Sequence, residues 1–173
     1  MFLGTLFVLS SKIEERAEEV KIESNAEFIE EVARHAVPLK EEYGILPSVT
    51  IAQAILESNW GKSSLSRQEN NYFGIKGNSE HRKYATLEYE DEWKEIHASF
   101  RSYPSLKASV EDYAKLLAYG TDWNPELYHP VIEAQTPSEA AYALQKAGYA
   151  TDPDYPEKII NIVETYGLEK YDE

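Results

Sequence analysis

Ala52-Gln-Ala-Ile-Leu-Glu57-Ser-Asn-Trp60-Gly61 ends a helix that is apolar nearly all round, with Val49, Ile51, Ala52, Ala54, Ile55 and Leu56 leaving little polar surface. A helix of that kind belongs inside a fold. The turn Gly44-Ile-Leu-Pro47 precedes it, Ser48 is placed to cap it, and Trp60-Gly61 stops it with Gly at the C′ position. Glu57 therefore emerges at the end of a buried helix. A carboxyl there is costly unless it is paired or neutral. The helix macrodipole also disfavours negative charge near a C-terminus, so both effects push the Glu57 pKa upward. A carboxylic acid still protonated near neutrality is what a general acid for a glycosidic oxygen requires. The plainer alternative, a Glu on the helix rim pointing to water, is left open by spacing alone.

Upstream of this helix, Ser24-Asn-Ala-Glu27 reads as a capping box. It opens a helix with Phe28, Ile29, Val32, Ala33 and Ala36 at helical spacing, expected to end or kink at Pro38. Downstream, a polar segment from Ser63 to Asn71 leads into Tyr72-Phe-Gly-Ile-Lys-Gly77. Between Tyr84 and Tyr103 the aromatic and β-branched residues predict a small antiparallel hairpin. Helices resume at Ser105 to Ala118, at Thr136-Pro-Ser-Glu139 (a second capping box with Pro at N1) and at Tyr155 to Tyr166, closed by Gly167. The fold class is α+β, mainly α, with helices around a small β lobe.

Whole-chain properties narrow the chemistry. The 173 residues suit one domain, with 42% apolar and 28% charged residues in globular proportion. With no cysteine there is no disulfide scaffold, thiolate metal site or Cys nucleophile. The net charge of −14 argues against nucleic acid and against anionic lipid as partners. His35, His81, His97 and His129 are scattered and no HExxH, DxDxDG or GxSxG occurs, so neither a metal nor a cofactor is expected. Met1 to Ser11 is apolar but shorter than the roughly 20 residues of a membrane helix. It reads either as a buried strand or disordered tail or as the remnant of a signal or anchor, and the charged stretch to Glu23 reads as a solvated helix or linker. The folded unit is expected over 24–173, as a monomer, with membrane contact only through that amino-terminal segment.

A glycosidase needs a second carboxylate. The hairpin offers Glu88, Glu90, Asp91 and Glu92. Glu88 and Glu90 share a strand face, so spacing does not separate them. Tyr and Trp suit sugar rings, and with 13 Tyr the chain has many candidates. Trp60 is placed to pack beside Glu57 and keep it dry. Tyr149, after the Gly148 helix stop, is the best loop Tyr.

Four segments in order, AQAILESNWGKSSL, NNYFGIKG, TLEY with FRSYPSLKASVEDYAKLL, and LQKAGYATDPDY, resemble glycoside hydrolase family 73, the bacterial cell-wall N-acetylglucosaminidases. The resemblance covers about Asn25 to Gly167 and implies a lysozyme-like fold. It implies Glu57, in Glu57-Ser-Asn-Trp60-Gly61, as the general acid, and it favours Glu88, in Thr86-Leu-Glu88-Tyr89, as the second carboxylate. Tyr149, in Tyr149-Ala-Thr-Asp152, is the implied substrate-positioning residue. Asn71 and Phe73 are expected on the groove floor, with Gly74 and Gly77 allowing close backbone approach. Tyr72 stands where the family has Leu, and Asp91-Glu-Trp-Lys-Glu95 replaces a short Gly-containing turn. The implied partner is the glycan strand of peptidoglycan, outside the cytoplasm, cut between N-acetylglucosamine and N-acetylmuramic acid. A lytic transglycosylase, a muramidase and a non-catalytic peptidoglycan-binding module are the competing readings.

Overall fold

The computed structural model describes residues 4–77 and 83–173, with side chains from Ser24 onward. Within them, seven helices and one hairpin follow in chain order: α1 (Gly4–Tyr43), α2 (Pro47–Ser58), α3 (Ser64–Glu69), β1 (Lys83–Glu90), β2 (Glu92–Ser99), α4 (Leu106–Tyr119), α5 (His129–Glu133), α6 (Pro137–Lys146) and α7 (Tyr155–Tyr166). A 3₁₀ turn over Leu168–Tyr171 ends the fold. The expected mainly helical α+β architecture is present. Among the described residues no helix is long and apolar enough to cross a membrane. From Gly4 the amino-terminal stretch is helical, not the buried strand that was one expectation, because it continues into the strong helix formers that follow; its side chains lie outside the described residues.

α2 is the central helix. Every residue from Pro47 to Ile55 is buried, and α1, α6, α7 and the 3₁₀ turn pack around it. α1 contributes Ile29, Val32, Ala33, Ala36 and Leu39, spaced three and four apart so that they share one face. α4 contributes Val110, Tyr113 and Leu117, and α7 contributes Ile159 and Val163. This core needs no disulfide, because a chain of this size buries enough apolar surface without one.

Three expected helix ends differ from those observed. α1 does not begin at the Ser24 capping box but runs unbroken from Gly4. A cap matters only where amides lack a preceding turn, and KIEERAEEVKIE is rich in strong helix formers that supply one. Nor does α1 stop at Pro38, although an interior Pro costs about 3 kcal/mol. Ala36 and Leu39 flank it and are 1% and 5% exposed, so tertiary packing holds the helix through the missing bond. At α2, Ser48 is not the cap; it lies in the first turn behind Leu46, with Pro at the start of the helix. The cap comes from the far end of the fold: the Asp172 carboxylate accepts from Ser48 N at 2.8 Å and from Ser48 Oγ at 2.5 Å. Lys40 of α1 donates to the Asp172 carbonyl, so one residue ties α1, α2 and the final turn.

The other boundaries behave as their residues dictate. Ser105 caps α4 by accepting from Ala108 N. Thr136 caps α6 by accepting from Glu139 N, while Glu139 reaches back to Gln135 N. The segment from Ser63, read only as polar, forms the short α3, with Ser63 Oγ accepting from Ser66 N.

The hairpin is antiparallel, pairing Glu88 with Lys94 and Tyr89 with Trp93, and it turns at Asp91 in the left-handed region (φ 62°). Asp91-Glu-Trp-Lys-Glu95 is thus mostly strand. A two-stranded ribbon is marginal alone, and this one is anchored at both ends. Tyr84 donates to Glu69 Oε1 at 2.7 Å, and Tyr89 N donates to Thr151 Oγ1 at 2.9 Å.

Replacing Asp172 removes two bonds from the first turn of α2 together with the anion favoured there by the dipole. Asp172→Ala is expected to cost about 1–2 kcal/mol and to lower the thermal midpoint by a few degrees. Ser48→Ala should cost less, since Ser48 N keeps its partner. Calorimetry of the two variants beside the parent checks this; equal midpoints for all three would remove the cap from the account.

Candidate active site

Glu57 occupies the last turn of α2, and the backbone beyond it is unusual. The αL conformation starts at Asn59 (φ 48°), two residues earlier than the glycine suggests, and continues through Trp60 (φ 59°) to Gly61 (φ 69°). Buried Ser58 secures the turn: its hydroxyl donates to Ala54 O at 2.5 Å and accepts from Gly61 N at 2.7 Å. A Cβ at Gly61 would lie 3.1 Å from the Phe28 ring and 3.3 Å from that of Tyr72. The Glu-Ser-x-Trp-Gly pattern is therefore a device for ending the helix abruptly on its carboxyl.

Tyr155, at the start of α7, donates from its hydroxyl to Glu57 Oε1 at 2.7 Å. Burial pushes the Glu57 pKa from 4.5 up to about 7; the Tyr155 hydrogen bond pulls it down, and the negative charge of Asp152 adds to the rise. Desolvation outweighs the hydrogen bond because Gln53, Ala54 and Ile55 in the turn before it are buried. Burial works upward on Asp152 too, but bonds from Lys158 and from the Asp154 amide bring its carboxyl below the usual range. Asp152 thus stays ionised beside Glu57.

A groove of about 210 Å³ opens between the helices and the hairpin, and its lining includes Glu57, Thr86, Glu88, Trp93, Asp152 and Tyr155. Glu88 and Glu90, inseparable by spacing, occupy different surroundings. Glu88 faces the groove with its side chain 21% exposed and is paired with Lys76. Glu90 is 74% exposed and pairs with Lys94 at 3.3 Å. Chemically, the groove offers one carboxyl poised near neutrality and a second, on the opposite wall, held beside a lysine.

Four other expected site residues lie elsewhere. Trp60 does not line this groove. Its ring packs edge-on against Phe28 (5.9 Å between centroids) and Tyr166 (5.0 Å), joining α1 to α7. Asn71 is buried as a strut, bonding Ile75 N and O and Arg101 O. Phe73 is fully buried, stacked 4.3 Å from Tyr113, so neither residue forms a groove floor. Tyr149 sits behind the groove; its hydroxyl donates to Phe73 O at 2.9 Å and its ring stacks on Tyr155 at 6.3 Å. Gly74 meets the expectation of close approach in a specific way. Its φ is 65°, and a Cβ there would come to 3.4 Å from Glu57 Oε2.

Tyr155 is the functional residue that sequence reasoning missed, although Asp152-Pro-Asp-Tyr155 lies in a quoted motif. The one usable signal was Gln53. A polar residue one turn before Glu57 in a buried run needs buried partners, and Tyr155 is one of them, with Tyr113.

Residues 33–168 match the glucosaminidase family, described as mannosyl-glycoprotein endo-beta-N-acetylglucosaminidase. The exo-glucosaminidase LytG of Bacillus subtilis (strain 168) is 49% identical over 168 residues, which make up 95% of this chain and 60% of that protein. The catalytic domain of the autolysin Auto from Listeria monocytogenes superposes with a TM-score of 0.74 at 37% identity, over 92% of this chain and 97% of that one. A solved N-acetylmuramoyl-L-alanine amidase from Staphylococcus aureus superposes with a TM-score of 0.81 at 38% identity, over 87% of this chain and 44% of that one. This chain thus spans only part of the full length of such relatives. The match runs through both groove carboxyls and most of the core, and the chain belongs to the glucosaminidase family, glycoside hydrolase family 73.

Proposed function

We propose that this chain is a peptidoglycan hydrolase that cleaves the β-1,4 bond between N-acetylglucosamine and N-acetylmuramic acid by general acid catalysis, outside the cytoplasm. The observation that carries the reading is a carboxyl with its pKa raised to about 7 in a groove faced by a second carboxylate. Glu57 protonates the leaving glycosidic oxygen. Glu88 activates water or stabilises the oxocarbenium-like sugar, unless the substrate's own acetamido oxygen performs the displacement. Lys76 holds the Glu88 carboxylate toward the groove, and Asp152 favours the proton on Glu57 by repelling its anion. The catalytic unit on this reading is 24–173, with α1 reaching beyond it.

Mass spectrometry of borohydride-reduced muropeptides from digested sacculi tests the bond assignment. Reduced N-acetylglucosamine ends are expected. Reduced muramic acid would indicate a muramidase, 1,6-anhydro ends a transglycosylase, and binding without new ends a non-catalytic module.

Glu57→Gln is expected to lower turnover by about 10²–10⁴-fold while leaving circular dichroism unchanged. Glu88→Gln should lose less if the acetamido group displaces. Full activity in Glu57→Gln would end the assignment.

The acid must hold its proton, so activity should fall as pH rises through about 7. The same shift acts on stability with a definite sign. Below 4.5, the ordinary value, Glu57 is protonated whether folded or unfolded and contributes nothing. Between 4.5 and about 7 the unfolded chain gives up the proton first, so the fold loses stability as pH rises. Glu57→Gln should therefore melt higher than the parent at pH above about 7 and by a margin that shrinks toward acid. A constant margin across that interval would contradict the raised pKa.

A further inference from the structure

Behind Glu57 lies a row of buried hydrogen bonds. Gln53, one turn earlier on α2, is 0% exposed. Its Oε1 accepts from the hydroxyl of Tyr113, itself fully buried on α4. Its Nε2 donates to the Tyr155 hydroxyl oxygen at 2.9 Å, and Tyr155 in turn donates to Glu57 Oε1 at 2.7 Å. A phenol has a single proton and an amide has distinct accepting and donating ends, so the row carries a direction. With the amide N–H on its oxygen, Tyr155 has its own proton left to give to Glu57. No described residue bonds Glu57 Oε2, and no buried polar atom among the described side chains lacks a partner. Oε2 is therefore the oxygen that keeps solvent contact, beside the turn that Gly74 leaves open.

We propose that Gln53 is a positioning residue for the reaction: its amide sets the direction of the row, so that Tyr155 donates to Oε1 and the transferable proton of Glu57 rides on Oε2, toward the substrate. The inference rests on the reading of Glu57 as the acid. In the step itself, the proton passes from Oε2 to the glycosidic oxygen as the C–O bond breaks and its electron pair moves to that oxygen. The new Glu57 anion is met at once by the Tyr155 hydrogen bond already in place, a preorganised donor that needs no reorientation. Burial and the Glu57 charge hold the Tyr155 phenol well above its usual range, so it remains a donor. Were the row reversed, Glu57 would have to donate from Oε1 into Tyr155, and the proton would point away from the groove.

Gln53→Glu is the discriminating variant. While neutral, the introduced carboxyl has the same shape and polarity as the amide, accepting at one oxygen and donating from the other. Once ionised it only accepts, and it draws the Tyr155 proton back from Glu57. The other groups facing Glu57 are Lys158 of α7, Asp152 and Tyr149 of the loop before it, Tyr113 of α4 and Glu88 of β1. The variant leaves all of them in place.

Turnover on solubilised peptidoglycan fragments is to be measured against pH for the parent, Gln53→Glu, Tyr113→Phe and Glu57→Gln. The kcat of Gln53→Glu relative to parent should approach one at the acid end and fall by about tenfold or more as the introduced carboxyl ionises, with KM steady. Tyr113→Phe keeps the ring stacked on Phe73 and releases the amide oxygen together with the contact to Thr50. It should lose kcat at every pH, without the acid recovery. A ratio for Gln53→Glu that is flat with pH, or parental kcat in Tyr113→Phe, overturns the positioning role, and the second result does so even if Gln53→Glu does not fold. Failure of the acid assignment itself would appear separately, as an active Glu57→Gln.

Discussion

An ionisable carboxyl leaving a helix that is buried on all sides is the constraint to which the other features of this molecule answer. Desolvation raises the Glu57 pKa to about 7, and only one hydrogen bond opposes it. Full burial with no donor would leave the group too weak an acid to give up a proton near neutrality. Full exposure would leave it ionised. The Tyr155 hydroxyl and the groove opening hold it between those limits, which is the condition general acid catalysis demands.

That balance requires rigid surroundings, and the core supplies them. α2 is gripped at its start by Asp172 and at its end by Ser58 and the left-handed turn over Asn59–Gly61. Trp60 locks that turn to α1 and α7. Tyr113, Tyr149 and Tyr155 form an aromatic wall behind the carboxyl, where buried phenols can both pack and bond. The hairpin is built differently. Most of its side chains are exposed, and its contacts with the helical body among the described residues include Tyr84 to Glu69 and Tyr89 N to Thr151 Oγ1. Glu57 thus sits on the buried helical body and Glu88 on the largely exposed ribbon. A helix end and an exposed ribbon together form the groove.

Much of this was legible along the chain. The helical periodicities, the caps at Ser105 and Thr136, the hairpin and the buried character of α2 all follow from local pattern, because each depends on residues within one or two turns. Glu57 was legible for the same reason: it ends a run of buried residues in its own helix. Departures came where a distant segment intervened. Ser48 looked like a cap, yet Asp172, 124 residues away, takes that role. Pro38 looked like a stop or a kink, and the helix continues through it, with buried Ala36 and Leu39 packed on either side.

The site divides along the same line. By itself the sequence determined the helix that ends on Glu57, the strand that carries Glu88 and Glu90, and the motif order that marks the family, since these are properties of contiguous residues. Only the tertiary structure set Glu88 toward the groove and Glu90 toward solvent, packed Trp60, Asn71 and Phe73 as supports, and brought Tyr155 onto Glu57 from 98 residues away. The reason is that a strand face is shared by alternate residues, and a buried side chain's partners are chosen by how elements pack, which no local spacing encodes.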